Sequence, residues 1–327
     1  MGNIGVNERA RRLFETLAGD PEGYGIEVHK MANGATIIDA GVNVPGSFEA
    51  GKIVTEICMG GLGEATIGMR EYGGTELPSI TVRTDQAAIS LLACQLAGWK
   101  VVGKDGTYGY ASGPARAAAQ RPKRLLPNLL FQQLQYKEEP DVAVAFIEPF
   151  GKSLPGDEEV QFVASSCNVN TENVFIVASL ASSITGSVQI SGRVAEMGMY
   201  KLCQLGLDPL KVKNAIGSAP IAPIQPEADK AVGICNDCII LAGSSYYIVW
   251  SGEGEDLENI VGAVPSCNSK DYGKPFYETF LEAGKDFHKI DPGLFSPAQV
   301  AVNDMRTGRT YQAGGVDAAL LAKSLGI

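Results

Sequence analysis

The sequence predicts a mixed α/β (α+β) fold in two domains, on three observations. Short apolar or alternating stretches (26–30, 35–40, 141–147, 173–178, 245–250) take turns along the chain with stretches of helical period. The 327 residues exceed the ~250–300 at which a single core stops growing. The composition, 45% hydrophobic and 20% charged, is that of a globular chain. The turn-rich stretch 148–156 is the best linker in the middle, so the domains are read as 1–150 and 151–327, with the C-terminal segment free to return to the first.

Charge and patterning exclude several function classes. Net charge is −10, and the one basic cluster is Arg121-Pro-Lys-Arg124, which argues against a nucleic-acid partner. No apolar run reaches ~18 residues, so no membrane span is expected. The N-terminus lacks a signal pattern, and seven widely spaced cysteines, an odd number, point to a reducing cytoplasm.

The elements follow in order. Residues 7–18 carry Ala10, Leu13, Phe14 and Leu17 at helical spacing, with Asn7 as a candidate N-cap. Asn33-Gly34 between two strand-like runs is a hairpin signal. Residues 47–59 read as a helix ending in Met59-Gly-Gly-Leu-Gly63, a C-cap and tight turn rather than a phosphate loop, because the Lys-Ser/Thr of such a loop is missing. Strands at 65–70 and 79–84 precede a helix at 85–97. Further helices are read at 158–166 and 187–205. A Pro-rich loop at 217–226, a loop at 264–275, a helix at 276–283, a hairpin at 300–313 and a last helix complete the chain.

Several residues are candidates for chemistry. In a helix over 187–205, Gln189, Arg193, Glu196 and Tyr200 share one face at spacings of four, three and four. Gly192 and Gly198 inside it imply close packing. On spacing alone, Arg193 with Glu196 reads more readily as an ordinary solvated i, i+3 pair. Ser112-Gly113-Pro-Ala-Arg116 opens a helix, with Ser112 as cap; it is either an anion site with free backbone N–H groups or a plain capped helix with Arg116 in solvent. Cys235-x-x-Cys238 is half a zinc pattern with nothing to complete it, so two buried thiols and no metal are expected. His29 and His288 are the only histidines, which leaves carboxylate chemistry as the most available route.

Taken together, the ordered motifs resemble those of the methenyltetrahydromethanopterin cyclohydrolase family from about residue 6 to about 315. They are Asn33-Gly-Ala-Thr-Ile-Ile-Asp-Ala-Gly41, Cys58-Met-Gly-Gly-Leu-Gly63, Ser112-Gly-Pro-Ala-Arg116, Gly186-Ser-Val-Gln-Ile-Ser-Gly-Arg-Val-Ala-Glu196 and Ser218-Ala-Pro-Ile-Ala-Pro223. Asn236-Asp237, Pro265-Ser266, Asp271-Tyr-Gly-Lys-Pro275, Lys289-Ile-Asp-Pro292 and Phe295-Ser-Pro-Ala298 continue the series. Gln86, Leu180 and His288 depart from the family's pattern, which has His, Thr and Tyr there; these departures bear on substrate preference.

The resemblance implies a cytoplasmic one-carbon enzyme of methanogenesis. It would interconvert 5,10-methenyl-tetrahydromethanopterin and water with the 5-formyl form, without metal or redox cofactor. The subunit would have an inter-domain cleft for the pterin and would form a homotrimer through its N-terminal domain. The family's catalytic Arg and Glu fall on Arg193 and Glu196, which overturns the reading from spacing. Gln189, Ser112, Gly113, Arg116, Asn236, Asp237, Ser266, Lys270, Tyr272 and Lys274 are the substrate-binding candidates: backbone donors and cations for an anionic tail, Asp237 for the donors of a pterin ring. The competing reading for Asp237 is a helix cap. Two other functions stay open: a protein that holds a pterin without turning it over, and another pterin-dependent one-carbon enzyme on this scaffold. A dehydrogenase would need a dinucleotide fingerprint that is missing.

Overall fold

The computed structural model describes residues 5–104, 106–121, 131, 136–286 and 289–327; most of the basic cluster at 121–124, and His288, lie outside them. The strands among these residues are β1 (Glu27–Lys30), β2 (Thr36–Asp39), β3 (Gly63–Tyr72), β4 (Thr75–Thr84), β5 (Trp99–Gly103), β6 (Gly106–Ser112), β7 (Ala143–Pro149), β8 (Val174–Ala178), β9 (Val212–Pro220), β10 (Ser244–Val249), β11 (Gln299–Asp304) and β12 (Thr310–Gly314). They form two six-stranded sheets, ordered β1-β2-β8-β7-β6-β5 and β12-β11-β10-β9-β4-β3. The α/β reading holds. The chain divides into two compact units, Met1–Glu64 with Ala88–Gln189 and Ala65–Ala87 with Ile190–Ile327. Residues 151–189 thus lie with the first unit and 65–87 with the second, where the sequence suggested one cut after 150.

In the first unit, β2, β8 and β7 run parallel at the centre, flanked by antiparallel β1 on one side and β6 and β5 on the other. Parallel central strands are buried on both faces and read as near-continuous apolar runs. Val174-Phe-Ile-Val-Ala178 and Ala143-Val-Ala-Phe-Ile147 are such runs. Ala143, Ala145 and Ile147 join Val160 and Val163 of the helix Asp157–Cys167 in one cluster. Val144 and Phe146 point the other way, to Phe14 and Leu17 of the helix Val6–Gly19 and to Val54 and Ile57 of the helix Phe48–Cys58.

Local signals held at several ends. The Asn33-Gly34 turn joins β1 to β2 in an antiparallel pair. Ser47 caps its helix by accepting from the Ala50 N–H. Gly60 and Gly61, at φ 72° and 63°, end it in the left-handed region, as a glycine-rich C-cap should. Two expectations are corrected. Asn7 is not the N-cap; Gly5 is, and buried Asn7 instead donates to Pro114 O and accepts from Val144 N, bridging helix and sheet. The helix read over 85–97 is a π-helix, Ala88–Gln95, with all eight residues buried and an i→i+5 bond from Leu96 N to Leu91 O. A segment without a polar face carries little periodic signal by which to tell the two apart.

In the second unit, β11 and β10 are parallel, and β12, β9 and β4 are antiparallel to their neighbours. Helices Val194–Gln204, Ala228–Ala242 and Leu257–Gly262 pack on this sheet. Tyr247, Val249, Val300 and Val302 are fully buried, whereas Tyr246 and Ile216 are 38% and 46% exposed. This is the alternation of a sheet covered on one face.

Candidate active site

The segment expected to be one helix over 187–205 is two: Ile184–Ser191 and Val194–Gln204, with Gly192 and Arg193 between them. Arg193 N closes a three-residue turn onto Ile190 O, and Arg193 O accepts from Met197 N to start the second helix. Arg193 is therefore the N-cap position of that helix and Glu196 stands in its first turn. The shared stripe through Gln189, Arg193, Glu196 and Tyr200 is broken at this joint. Gln189, Arg193 and Glu196 are all buried, at 1%, 9% and 4% exposure, so they are not a solvated surface set.

The second helix is held tightly against its sheet. A Cβ on Gly198 would lie 2.4 Å from the Tyr247 hydroxyl and 2.8 Å from Ser245 Oγ, and one on Gly217 would lie 2.8 Å from Ala195 N. Only glycine permits both approaches, which is the close packing expected of Gly198. Tyr247 Oη donates to Ala195 O at 2.7 Å, one residue before Glu196. Burial pushes the Tyr247 hydroxyl well above the usual phenol range, and the neighbouring Glu196 charge acts in the same direction. A buried carboxylate is costly unless something compensates, and the positive end of a helix supplies part of that compensation in its first turn. Sequence reasoning missed Tyr247; the signal was its place in an alternating strand that faces a helix glycine.

Of the other candidates, Ser112, Gly113 and Arg116 belong to the first unit and Asn236, Asp237, Ser266, Lys270, Tyr272 and Lys274 to the second. Ser112 ends β6 and its hydroxyl donates to Cys58 Sγ at 3.8 Å, so it does not cap; Gly113, at φ 94°, is the N-cap of the helix Pro114–Ala119. Arg116 is not in solvent. It is 1% exposed, and its Nη1 donates to Leu92 O and Ala93 O at 2.6 Å each, tying its helix to the π-helix.

The C-terminal candidates gather about the helix Ala228–Ala242. Asn236 bonds within it to Val232 O. Asp237 accepts from Phe276 N at 3.0 Å, at the start of the helix Phe276–Glu282, and from Ser324 Oγ. Burial raises the Asp237 carboxyl to about 7 against the lowering effect of those bonds. Ser266 donates to Ile240 O, Tyr272 to Asp317 and Lys274 to Glu282, while Lys270 is exposed. The contacts of Asp237, Ser266, Tyr272 and Lys274 are structural ties within this unit.

Of the departures, Gln86 is exposed and Leu180 buried. Cys235 and Cys238 are buried and in no disulfide, and among the described residues no group of three or more His, Cys, Asp or Glu is placed to hold a metal. No helix among the described residues is long and apolar enough to cross a membrane.

Comparison with known proteins adds the last element. The profile of the family described as Cyclohydrolase (MCH) matches residues 5–325. The methenyltetrahydromethanopterin cyclohydrolase of Methanocaldococcus jannaschii is 45% identical over 327 residues, covering 99% of this chain and 98% of that protein. Those of Methanothermobacter marburgensis and Methanococcoides burtonii are 42% and 41% identical, each over 99% of this chain and 100% and 99% of theirs. With the family's profile and relatives spanning both units, the chain belongs to the methenyltetrahydromethanopterin cyclohydrolase (MCH) family.

Proposed function

We propose that this chain hydrolyses 5,10-methenyl-tetrahydromethanopterin to its 5-formyl form, with Glu196 as general base. The observation that carries the reading is a buried carboxylate in the first turn of a helix that two glycines and a tyrosine clamp to the sheet. Relatives that share 41–45% of its residues bear the name of that activity. The family consists of hydrolases that act on a C–N bond of a cyclic amidine.

The methenyl carbon is already electrophilic, because two ring nitrogens share its positive charge. The missing reactant is an activated water. Glu196 takes a proton as the water oxygen bonds to that carbon, giving a neutral carbinolamine. Protonated Glu196 then returns the proton to the departing nitrogen as its C–N bond breaks. The hydroxyl loses its proton to become the formyl oxygen, so one water is consumed and one proton released. Arg193, at the cap of the same helix, orients the carboxylate and balances its charge. The ionised carboxylate also stabilises the cationic substrate on approach. Water is the only co-substrate in this scheme, which calls for neither metal nor redox cofactor.

Gln189 joins the pair as a binding residue. For the anionic tail, Lys270 is the cation the contacts leave most available. Arg116 would have to release two carbonyls, and Lys274 its partner Glu282. Ser112, Gly113, Asn236, Asp237, Ser266 and Tyr272 act by holding the loops that carry such contacts. The chain works as a homotrimer in the cytoplasm; seven cysteines, none in a disulfide, suit a reducing compartment.

The test is an absorbance assay with purified protein and a panel of methenyl-tetrahydropterins. Loss of the methenyl chromophore with formation of the 5-formyl product, fastest for the methanopterin derivative, is the expected result. Binding without turnover would select the pterin-holding alternative, and a different product would select another one-carbon reaction.

A further inference from the structure

The one Asn-Gly pair in the sequence, Asn33-Gly34, is a reactive dipeptide that the first unit cannot dispense with. Gly34 lies at φ 90°, and a Cβ on it would stand 2.7 Å from Glu172 Cβ and 3.0 Å from Glu172 Cα, so only glycine fits. A residue without a side chain leaves its amide nitrogen unshielded toward the side chain before it. Four bonds tie the pair down. Gly34 N donates to Met31 O at 3.0 Å, Asn33 Oδ1 accepts from Ala35 N at 3.0 Å, and Asn33 O accepts from Thr171 Oγ1 at 2.9 Å. In the fourth, Asn33 Nδ2 donates to Asp157 Oδ1 at 2.8 Å, across 124 residues of sequence. Asp157 opens the helix Asp157–Cys167, whose positive end favours a carboxylate there.

We propose that Asn33 is a site of covalent modification, deamidated through Gly34 N, and that the Asp157 tie keeps the reaction slow in the folded chain. In the reaction Gly34 N gives its proton to solvent and bonds to Asn33 Cγ. The Cγ–Nδ2 bond breaks, and the amide nitrogen leaves as ammonia with a proton taken from solvent. Water then opens the five-membered imide to an aspartate at position 33, or to its isomer linked through the side chain. One water is consumed and one ammonia released. Closure has to swing the carboxamide, and the bonds at Oδ1 and Nδ2 hold it at both ends. The Asp157 carboxylate does more: by accepting from Nδ2 it leaves electron density on the amide and makes Cγ a poorer electrophile. Asn33 is half-buried and Asp157 exposed, so water competes for this tie and opens it more readily than a buried one. The product places two carboxylates where Nδ2 now meets Oδ1, and attraction becomes repulsion. Modification thus unties the β1–β2 hairpin, at the edge of the first sheet, from the helix Asp157–Cys167.

Peptide mapping by mass spectrometry, on the full chain incubated at mildly alkaline pH, tests it. The folded wild type should convert Asn33 far more slowly than the same chain in concentrated urea. Asp157→Ala, with an unchanged far-UV circular dichroism spectrum, should convert Asn33 about fivefold faster than the folded wild type, the ratio that one net hydrogen bond supplies. Asp157→Asn, which keeps an acceptor in place, should recover most of the protection. In urea all three chains should react alike. Should Asp157→Ala misfold, Asp157→Ser, whose side chain is shorter, decides by the same readout. Equal rates at Asn33 in the folded wild type and the folded Asp157→Ala chain overturn the proposal. So does a folded wild type that reacts as fast as in urea, and so does an Asn33 that stays intact in urea.

Discussion

The first sheet is covered on both faces and the second on one, and their buried residues differ accordingly. Alternate residues of β7 feed two apolar clusters on opposite sides. Alternate residues of β10 and β11 go either to a closed face or to open rows. Among the described residues, the buried charged groups of the second unit are Arg193 at a helix cap, Glu196 and Asp237 in helices and Asp304 at the end of a strand; those of the first are Asp39 at the end of β2, and Arg116 and Glu159 in helices. A sheet sealed on both sides has little room for ionisable groups, which must be paired or bonded wherever they enter. A sheet sealed on one side leaves helices on the other to carry them. The proposed base, Glu196, and its neighbour Arg193 stand in and at the cap of a helix on the one-sided sheet.

The comparison can be broken most forcefully by putting a charge on each sheet. Val144→Lys, on the first sheet, buries an unpaired ammonium and should cost more than about 4 kcal/mol, enough to prevent folding. Asn303→Lys, on the open side of the second, should move stability by no more than about 0.5 kcal/mol in urea titration. Equal costs would mean that the two sheets are not covered differently.

Asp237 sharpens the contrast through pH. Its carboxyl sits at about 7 in the fold, and an unfolded Asp titrates near ~3.9. Between these values the folded state binds more protons than the unfolded state. Stability should therefore fall as pH rises from about 4 to about 7, by an amount on the order of 4 kcal/mol at most, and level off above. Asp237→Asn should flatten that slope; urea midpoints from pH 4 to 8 measure it. Asp304 has the opposite sign. Burial works against its charge, but bonds from Thr307 Oγ1, the Ser251 and Arg306 N–H groups and Ser251 Oγ prevail and hold it at about 2. Its contribution, roughly 2–3 kcal/mol, is present above about pH 4 and should be lost as pH falls toward 2. Asp304→Asn should remove that acid limb.

The sequence made much of this legible where one local signal decided the outcome. Asn33-Gly34 and the 60–61 glycines need particular backbone angles, so composition alone located their turns. Gly198 announced close packing because no other residue admits a hydroxyl at that range. The break at Gly192-Arg193 was hidden, since polar spacing continues smoothly across two helices that meet at one turn. Asn7 and Arg116 were misread because their partners, Val144 N and the 92–93 carbonyls, are remote in sequence. The bonds of Asp237, to Phe276 and Ser324, are likewise remote in sequence.

Tyr247→Phe probes how the sheet positions the base. Removing the hydroxyl frees Ala195 O and loosens the turn that carries Glu196. The expected loss is about tenfold in kcat, roughly 1.4 kcal/mol, with KM little changed and the pH–rate profile displaced. A uniform loss that follows folding stability would make Tyr247 structural only.

The central claim is that Glu196 moves the proton, and Glu196→Gln tests it most directly. The amide keeps the shape of the carboxylate and removes its basicity. Steady-state hydrolysis of methenyl-tetrahydromethanopterin, followed by absorbance, should show kcat reduced by roughly 10²–10⁴ with KM within a few fold of wild type. A variant within about threefold of the wild-type kcat would contradict the account.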